Sequence, residues 1–269
     1  MKLAYDGRRF HGWQRQPNAV SVQQTLEEAL QTVLRCPCPI VGAGRTDTGV
    51  NARVMYAHFE YPSSDQMGHS GQVASVTEVR NTLDLADPAV KARIVRGLNK
   101  LCGPDIAIHD IIPVADDAHA RFDATARTYK YFITFQKDPF LNQFSLFCPN
   151  APDMMAMNEA AAYLPLFQDF TYFAKLHGNA KTNICKVTEA KWTPWENDYG
   201  TPGIVFTITA DRFLRNMVRA IVGTLVDVGL KNCNLHHFVH IIESQDRGNA
   251  GTSMPPQALF LWDIKYPYL

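Results

Sequence analysis

The sequence predicts an α+β fold, a mixed and mainly antiparallel central sheet with helices on one face. Strand-like and helix-like segments alternate without the strict β-α-β-α cadence of a doubly wound sheet, and each half of the chain shows strand, helix and strand. With 269 residues and 46% hydrophobic content, the chain can fill a substantial core as one large domain or two intimately joined ones. The expected boundary lies near residue 115. Residues 1–115 form an N-terminal half and 116–269 a C-terminal half, and the two should meet along a cleft.

Lys2 to Tyr5 reads as a strand ended by the turn signal Asp6-Gly7, followed by the polar and aromatic loop Phe10 to Gln16. Ser21-Val22-Gln23-Gln24 opens a helix as a capping box. Val22, Leu26, Ala29, Leu30, Val33 and Leu34 share its apolar face, and Pro37 ends it. After a glycine-punctuated loop, Val54 to Phe59 reads as a strand. Residues 61–87, rich in Ser, Gly and Pro with little periodicity, are expected to be a surface insertion. Asp87 and Pro88 are an N-cap and first-turn pair for a helix to Lys100, and Ile106 to Val114 is rich in β-formers.

In the second half, Arg127, Tyr129, Tyr131, Ile133 and Phe135 alternate onto one face of a strand, with Thr128, Lys130, Phe132 and Thr134 on the other. Asp153 caps a helix to Leu164, Ile184 to Trp192 is extended, and Ile204 to Ala210 is a strong strand. Asp211 to Val228 is predicted to follow directly as a helix with Arg212, Arg215 and Arg219 on one stripe. Asn234 to Ser244 gives the last helix and Leu259 to Tyr266 the last strand.

Composition excludes several classes. No stretch approaches the roughly 18 apolar residues of a membrane span, and the N-terminus reaches a turn signal before any secretory apolar run. The cysteines at 36, 38, 102, 148, 185 and 233 show no metal-ligand spacing, so neither metal nor cofactor is expected. They read as reduced thiols of a cytoplasmic protein. Net charge is zero, yet residues 1–60, 121–137 and 201–231 together carry an excess of seven positive charges. If these segments converge, they make a basic cleft for a phosphate backbone; otherwise the pattern is ordinary solvated charge.

The loop Val41 to Arg53, V-G-A-G-R-T-D-T-G-V-N-A-R, carries the strongest chemical signal. It presents Asp47 two residues from the cation Arg45, with glycines at 42, 44 and 49 available for positive φ and close ligand approach. An ionised acid held beside a cation suits nucleophilic or electrostatic work at a sugar carbon. The competing reading is a turn in which Thr46 or Asp47 bonds its own backbone. The loop lacks the Gly-Lys-Ser/Thr of a P-loop and the third glycine of a dinucleotide fingerprint. Tyr129 is either a core-edge ring or a base-stacking platform. Arg212, Arg215 and Asn216 either face solvent or contact phosphates.

Five segments in order resemble the TruA-type tRNA pseudouridine synthases: Y-D-G-R-R-F-H-G-W-Q at 5–14, G-A-G-R-T-D-T-G-V-N-A at 42–52, R-F-D-A-T-A-R-T-Y-K-Y at 121–131, F-L-R-N-M-V-R-A-I-V-G at 213–223 and A-G-T-S-M-P-P-Q-A-L-F-L at 250–261. The resemblance implies a pseudouridine synthase-like fold of two similar halves. It also implies a homodimer that binds tRNA, and cofactor-free isomerisation of uridine in the anticodon arm, at positions about 38–40. By motif match Asp47 is the nucleophile, Arg45 steadies the flipped nucleotide, and Tyr129 stacks on the uracil. Arg219 pairs with Asp47, and Leu259 packs against the base; Arg127 joins the substrate-binding set. The chain departs from the family pattern at Asn51, usually His, at Thr48, usually Ala, and at Ala258, often Gly; Asn51 bears on loop hydrogen bonding and RNA contact. The first strand starts abruptly relative to the family. Two rival functions remain compatible with the same residues: a non-catalytic tRNA-binding or folding module, and a nucleoside or glycoside hydrolase.

Overall fold

A computed structural model describes residues 1–60, 85, 87–174, 182–198, 200–244 and 251–269. The expected insertion at 61–87 therefore lies almost wholly outside the described residues. The strands are β1 (Lys2–Tyr5), β2 (Val41–Gly42), β3 (Asn51–His58), β4 (Ile106–Asp110), β5 (Ala126–Thr134), β6 (Leu146–Phe147), β7 (Val187–Glu196), β8 (Pro202–Ala210) and β9 (Leu259–Lys265). The helices are α1 (Val22–Leu34), α2 (Pro88–Leu101), α3 (Met154–Ala161), α4 (Met217–Gly229) and α5 (Leu235–Ser244).

Among the described residues, the nine strands belong to one mixed sheet of order β4-β1-β3-β9-β5-β8-β7, with β2 beside β3 and β6 beside β5. The pairings are antiparallel except β5 with β6 and the central seam, where β3 runs parallel to β9 with Asn51 opposite Phe260 and Ala52 opposite Leu261. That seam joins the strands of the two halves. The fold is α+β, as the mixed cadence predicts.

Two clusters of buried side chains back the sheet. The first packs α1 and α2 on β1, β3 and β4 through Leu3, Leu26, Leu30, Met55, Leu98 and Ile108. The second packs α3, α4 and α5 on β5, β7 and β8 through Tyr131, Met157, Trp192, Phe206, Ile221 and Phe238. Leu261 belongs to the first cluster and Leu259 to the second; alternate strand residues share a face, so both cores lie on one side of the sheet. Each fully buried aliphatic or aromatic side chain contributes roughly 1.5–3 kcal/mol to that packing.

Local chemistry sets the helix starts. Ser21 Oγ accepts the Gln24 amide, and the Asp87 and Asp153 carboxylates accept from Ala89 and from Met155 and Ala156. β3 begins at Asn51, three residues before the predicted Val54. β4 stops at Asp110, whose own carboxylate accepts the Ile111 amide. β7 runs from Val187 to Glu196 rather than over 184–192, and it accommodates Pro194 because it is an edge strand.

The segment after β8 overturns one expectation. Residues 211–216 are not helical, and α4 starts only at Met217. Asp211 Oδ1 accepts the amides of Lys186 and Arg212, each at 2.7 Å, which turns the chain away from a helical path. Asn216, at φ 65°, then takes a left-handed conformation that no helix interior contains. Arg212, Arg215 and Arg219 therefore do not form a helical stripe.

Candidate active site

The Asp47 loop lies between β2 and β3, seated on the segment that carries the first motif. Thr46 Oγ1 and the Tyr5 hydroxyl share a hydrogen bond of 2.8 Å, the Thr46 carbonyl accepts the Trp13 amide, and Gly49 donates to the Phe10 carbonyl. Of the three loop glycines expected to supply positive φ, only Gly49 does so, at 78°. Gly42 instead lets the Trp13 ring approach where a Cβ would collide.

The Asp47 side chain is about one quarter exposed, at 24%. Its carboxylate makes no hydrogen bond to backbone among the described residues, so the self-bonded turn is not what this loop forms. Its ion-pair partners are Arg215 Nε at 3.5 Å from Oδ1 and Arg219 Nη1 at 3.9 Å from Oδ2. Arg45, two residues away in sequence, is exposed and forms no ion pair with it; the steadying cations come from the opposite half of the chain.

Arg219 sits in the first turn of α4, and its Nε donates to the Met254 carbonyl, which fixes the guanidinium. Arg215 lies in the irregular 211–216 segment and is 65% exposed. Asn216 donates from Nδ2 to Ser253 Oγ at 2.6 Å, so its side chain ties the Arg segment to the last motif instead of facing solvent. The same motif reaches the acid loop, because Asn51 Nδ2 donates to the Gln257 carbonyl at 2.7 Å. Asn51 Oδ1 accepts the Gly7 amide at 2.8 Å, and the residue is 1% exposed. Asn51 thus lies buried inside a clamp between three segments.

Tyr129 on β5 is half-buried between β8 and β9, opposite Ile208 and Leu261, with its ring edge-on to Phe213 at 5.1 Å between centroids. Burial first, and the nearby Asp47 carboxylate second, push its hydroxyl well above the ordinary phenol range, so it stays protonated. Leu259, expected against a base, is 4% exposed and closed into the C-terminal core opposite Tyr131. Arg212 stands apart, facing Cys185, whose thiol burial pushes up to about 12.

Arg127 has a use that the sequence did not suggest. Nη1 donates to the Ala124 and Asp211 carbonyls, and Nη2 to those of Ala43 and Arg121. Every N–H on its terminal nitrogens is thereby spent on protein backbone, which binds the foot of the acid loop to the start of the Arg segment. Burial holds the guanidinium pKa below its usual value. The structure thus brings Asp47, Arg215, Arg219 and Tyr129 together, leaves Arg45 and Arg212 outside, and turns Arg127, Asn51 and Asn216 inward as struts.

A lone acid between guanidinium groups, above a tyrosine, at the seam of a mixed sheet is a layout suited to isomerising a nucleotide. The family described as tRNA pseudouridine synthase matches residues 167–267. The chain is 50% identical to the tRNA pseudouridine synthase A of Porphyromonas gingivalis over 98% of its own length and 95% of the relative's. It is 48% identical to that of Bacteroides fragilis (98% and 94%) and 33% to that of Colwellia psychrerythraea (98% and 92%). The chain belongs to the tRNA pseudouridine synthase family, whose members are isomerases. Among the described residues no helix is long and apolar enough to cross a membrane, and no group of three or more His, Cys, Asp or Glu could hold a metal ion.

Proposed function

We propose that this chain converts uridine to pseudouridine in the anticodon arm of tRNA, at positions about 38–40, with Asp47 as the acting carboxylate. The observation that carries the reading is the Asp47 side chain itself: free of backbone hydrogen bonds among the described residues, partly open, and faced by Arg215 and Arg219. A duplex hides the glycosidic bond, so the nucleotide leaves the stack. That costs a few kcal/mol, offset by an aromatic surface such as Tyr129. The carboxylate attacks C1′ or stabilises the oxocarbenium-like centre as the C1′–N1 bond breaks and uracil departs with the electron pair. The uracil turns and C5 bonds to C1′, displacing the Asp47 carboxylate where it had bonded there; the C5 proton is lost and N1 gains a proton, so the product is an isomer and nothing is consumed. Water is kept off the intermediate by the walls of the site, or an abasic ribose would result.

The reading includes a cytoplasmic homodimer working without cofactor. The rival is a non-catalytic tRNA-binding module, motivated by Asn51; the buried Asn51 is engaged with Gly7 and Gln257, which supports the catalytic reading over it. Asp47→Asn keeps the side-chain volume and removes the charge. We expect it to lower pseudouridine formation in an unmodified tRNA transcript, mapped by chemical labelling, by at least about a thousandfold, with tRNA affinity within a fewfold of the parent. Pseudouridine made at the parental rate by that variant would end the assignment of Asp47. Free uracil released by the parent would mark a hydrolase instead.

A further inference from the structure

The loop before β5 holds a bare aromatic ring in a rigid mount. Phe122 is 76% exposed, the kind of side chain that loops ordinarily avoid, yet almost every polar group around it is satisfied. The His119 ring stacks on it, with centroids 4.2 Å apart and planes at 30°, and the Arg121 guanidinium stands 5.9 Å from its centroid. His119 Nδ1 accepts the amides of Arg121 and Phe122, while Asp123 accepts the His119 amide at 2.6 Å and the Tyr268 hydroxyl at 3.0 Å. Behind the loop, His58 Nδ1 accepts the Ala120 amide and the Tyr266 hydroxyl donates to the Ala120 carbonyl. β3 and the segment after β9 are thus spent on fixing a tetrapeptide whose outward feature is a phenyl ring bordered by a cation.

Its position is informative. Arg127 Nη2 donates to the Arg121 carbonyl and to the Ala43 carbonyl from one nitrogen, so this loop and the foot of the acid loop share a strut. A rigid aromatic with an adjoining guanidinium offers a π-face to a planar base and a charge to the phosphate beside it. No entropy of ordering is left to lose when the partner arrives.

We propose that Phe122 and Arg121 form a second RNA-binding site, a stacking platform for an unpaired nucleobase outside the nucleotide that meets Asp47. The inference rests on the tRNA reading above and goes beyond it, since neither residue takes part in the chemistry. The partner is a single-stranded segment, because a paired base has no free face to offer.

The experiment uses the full chain and an unmodified tRNA transcript, with affinity, saturated turnover and oligomeric state measured for Phe122→Ala, Phe122→Leu and Phe122→Trp. The expected result is a loss of affinity of about ten- to a hundredfold for Ala and Leu, parental affinity for Trp, and unchanged turnover at saturating tRNA and unchanged thermal unfolding in all three. Leu binding as well as Trp would overturn the proposal, because apolar contact alone would then suffice. Unchanged affinity in all three would overturn it too. So would a halved sedimentation mass for Ala with tRNA affinity intact, which would make the ring a contact between copies of this chain. If the parent made no pseudouridine but Ala and Leu still lost tRNA affinity, the functional reading would fall and the platform would stand.

Discussion

Two sets of arginines meet the Asp47 loop from different sides. Behind it, Arg127 is half-buried and donates to four backbone carbonyls drawn from three segments. In front, Arg215 is 65% exposed and lies 3.5 Å from the carboxylate, while Arg219, 3.9 Å away, is 19% exposed. The same side-chain type is a fixed brace in one place and an open cation in the other. The partners decide which: removing Arg127 leaves four carbonyl acceptors without their donor, while removing the exposed Arg215 leaves charges that water can screen.

The contrast can be broken experimentally. Arg127→Met keeps the stem and deletes every donor, so urea unfolding should show a loss of about 3 kcal/mol, with turnover falling more than tRNA affinity because the acid loop loses its brace. Arg127→Lys should land between the two. If Arg127→Met were as stable as the parent, the brace would be no more than a surface contact. A smaller effect is expected in front. Arg219→Gln should lower turnover by about ten- to a hundredfold, since its anchored guanidinium lies beside Asp47 where charge changes in the reaction. Arg215→Gln should cost less than about tenfold in turnover and act chiefly on tRNA affinity, with a shallower salt dependence. Equal losses from the two would mean that anchoring does not matter.

The smallest effect concerns pH. Burial, followed by the neighbouring His119, holds the His58 pKa below its ordinary value, and its Nδ1 accepts the Ala120 amide only while the ring is neutral. A depressed pKa in the folded chain means that the unfolded chain takes up the proton first on acidification. The stabilisation is therefore fully present above the unfolded value of about 6.5 and is lost as pH falls through the lower folded value. His58→Gln, which cannot titrate, should flatten that part of the stability profile measured by thermal unfolding between neutral and mildly acidic pH. An unchanged profile would show that the acid sensitivity comes from elsewhere.

Much of this arrangement could be read from the residues, and the failures have physical causes. α1 was legible because Ser21 supplies a cap and the apolar positions recur at helical spacing, both local properties. Residues 211–216 misled because arginines and apolar residues there also fit a helical period, while a carboxylate accepting two amides and one left-handed Asn decide the path. Arg45 looked like the partner of Asp47 because they are close in sequence. In an irregular loop that closeness sets no common direction for the side chains, and the actual partners come from residues 215 and 219. The role of Arg127 was invisible because its acceptors are main-chain carbonyls at 43, 121, 124 and 211, which carry no residue identity. Leu259 could be placed on a strand, but which strand faces close into a core depends on neighbours far away along the chain.

The parallel seam bears on folding. The strand that lies between β3 and β5 is β9, which follows both of them in chain order. Among the described residues, β9 is what links β3, beside the acid loop, to β5, which carries the tyrosine. Bringing residues 51–52 against 260–261 closes contacts between segments about two hundred positions apart, so the joining of the two cores belongs to the slow, non-local part of folding.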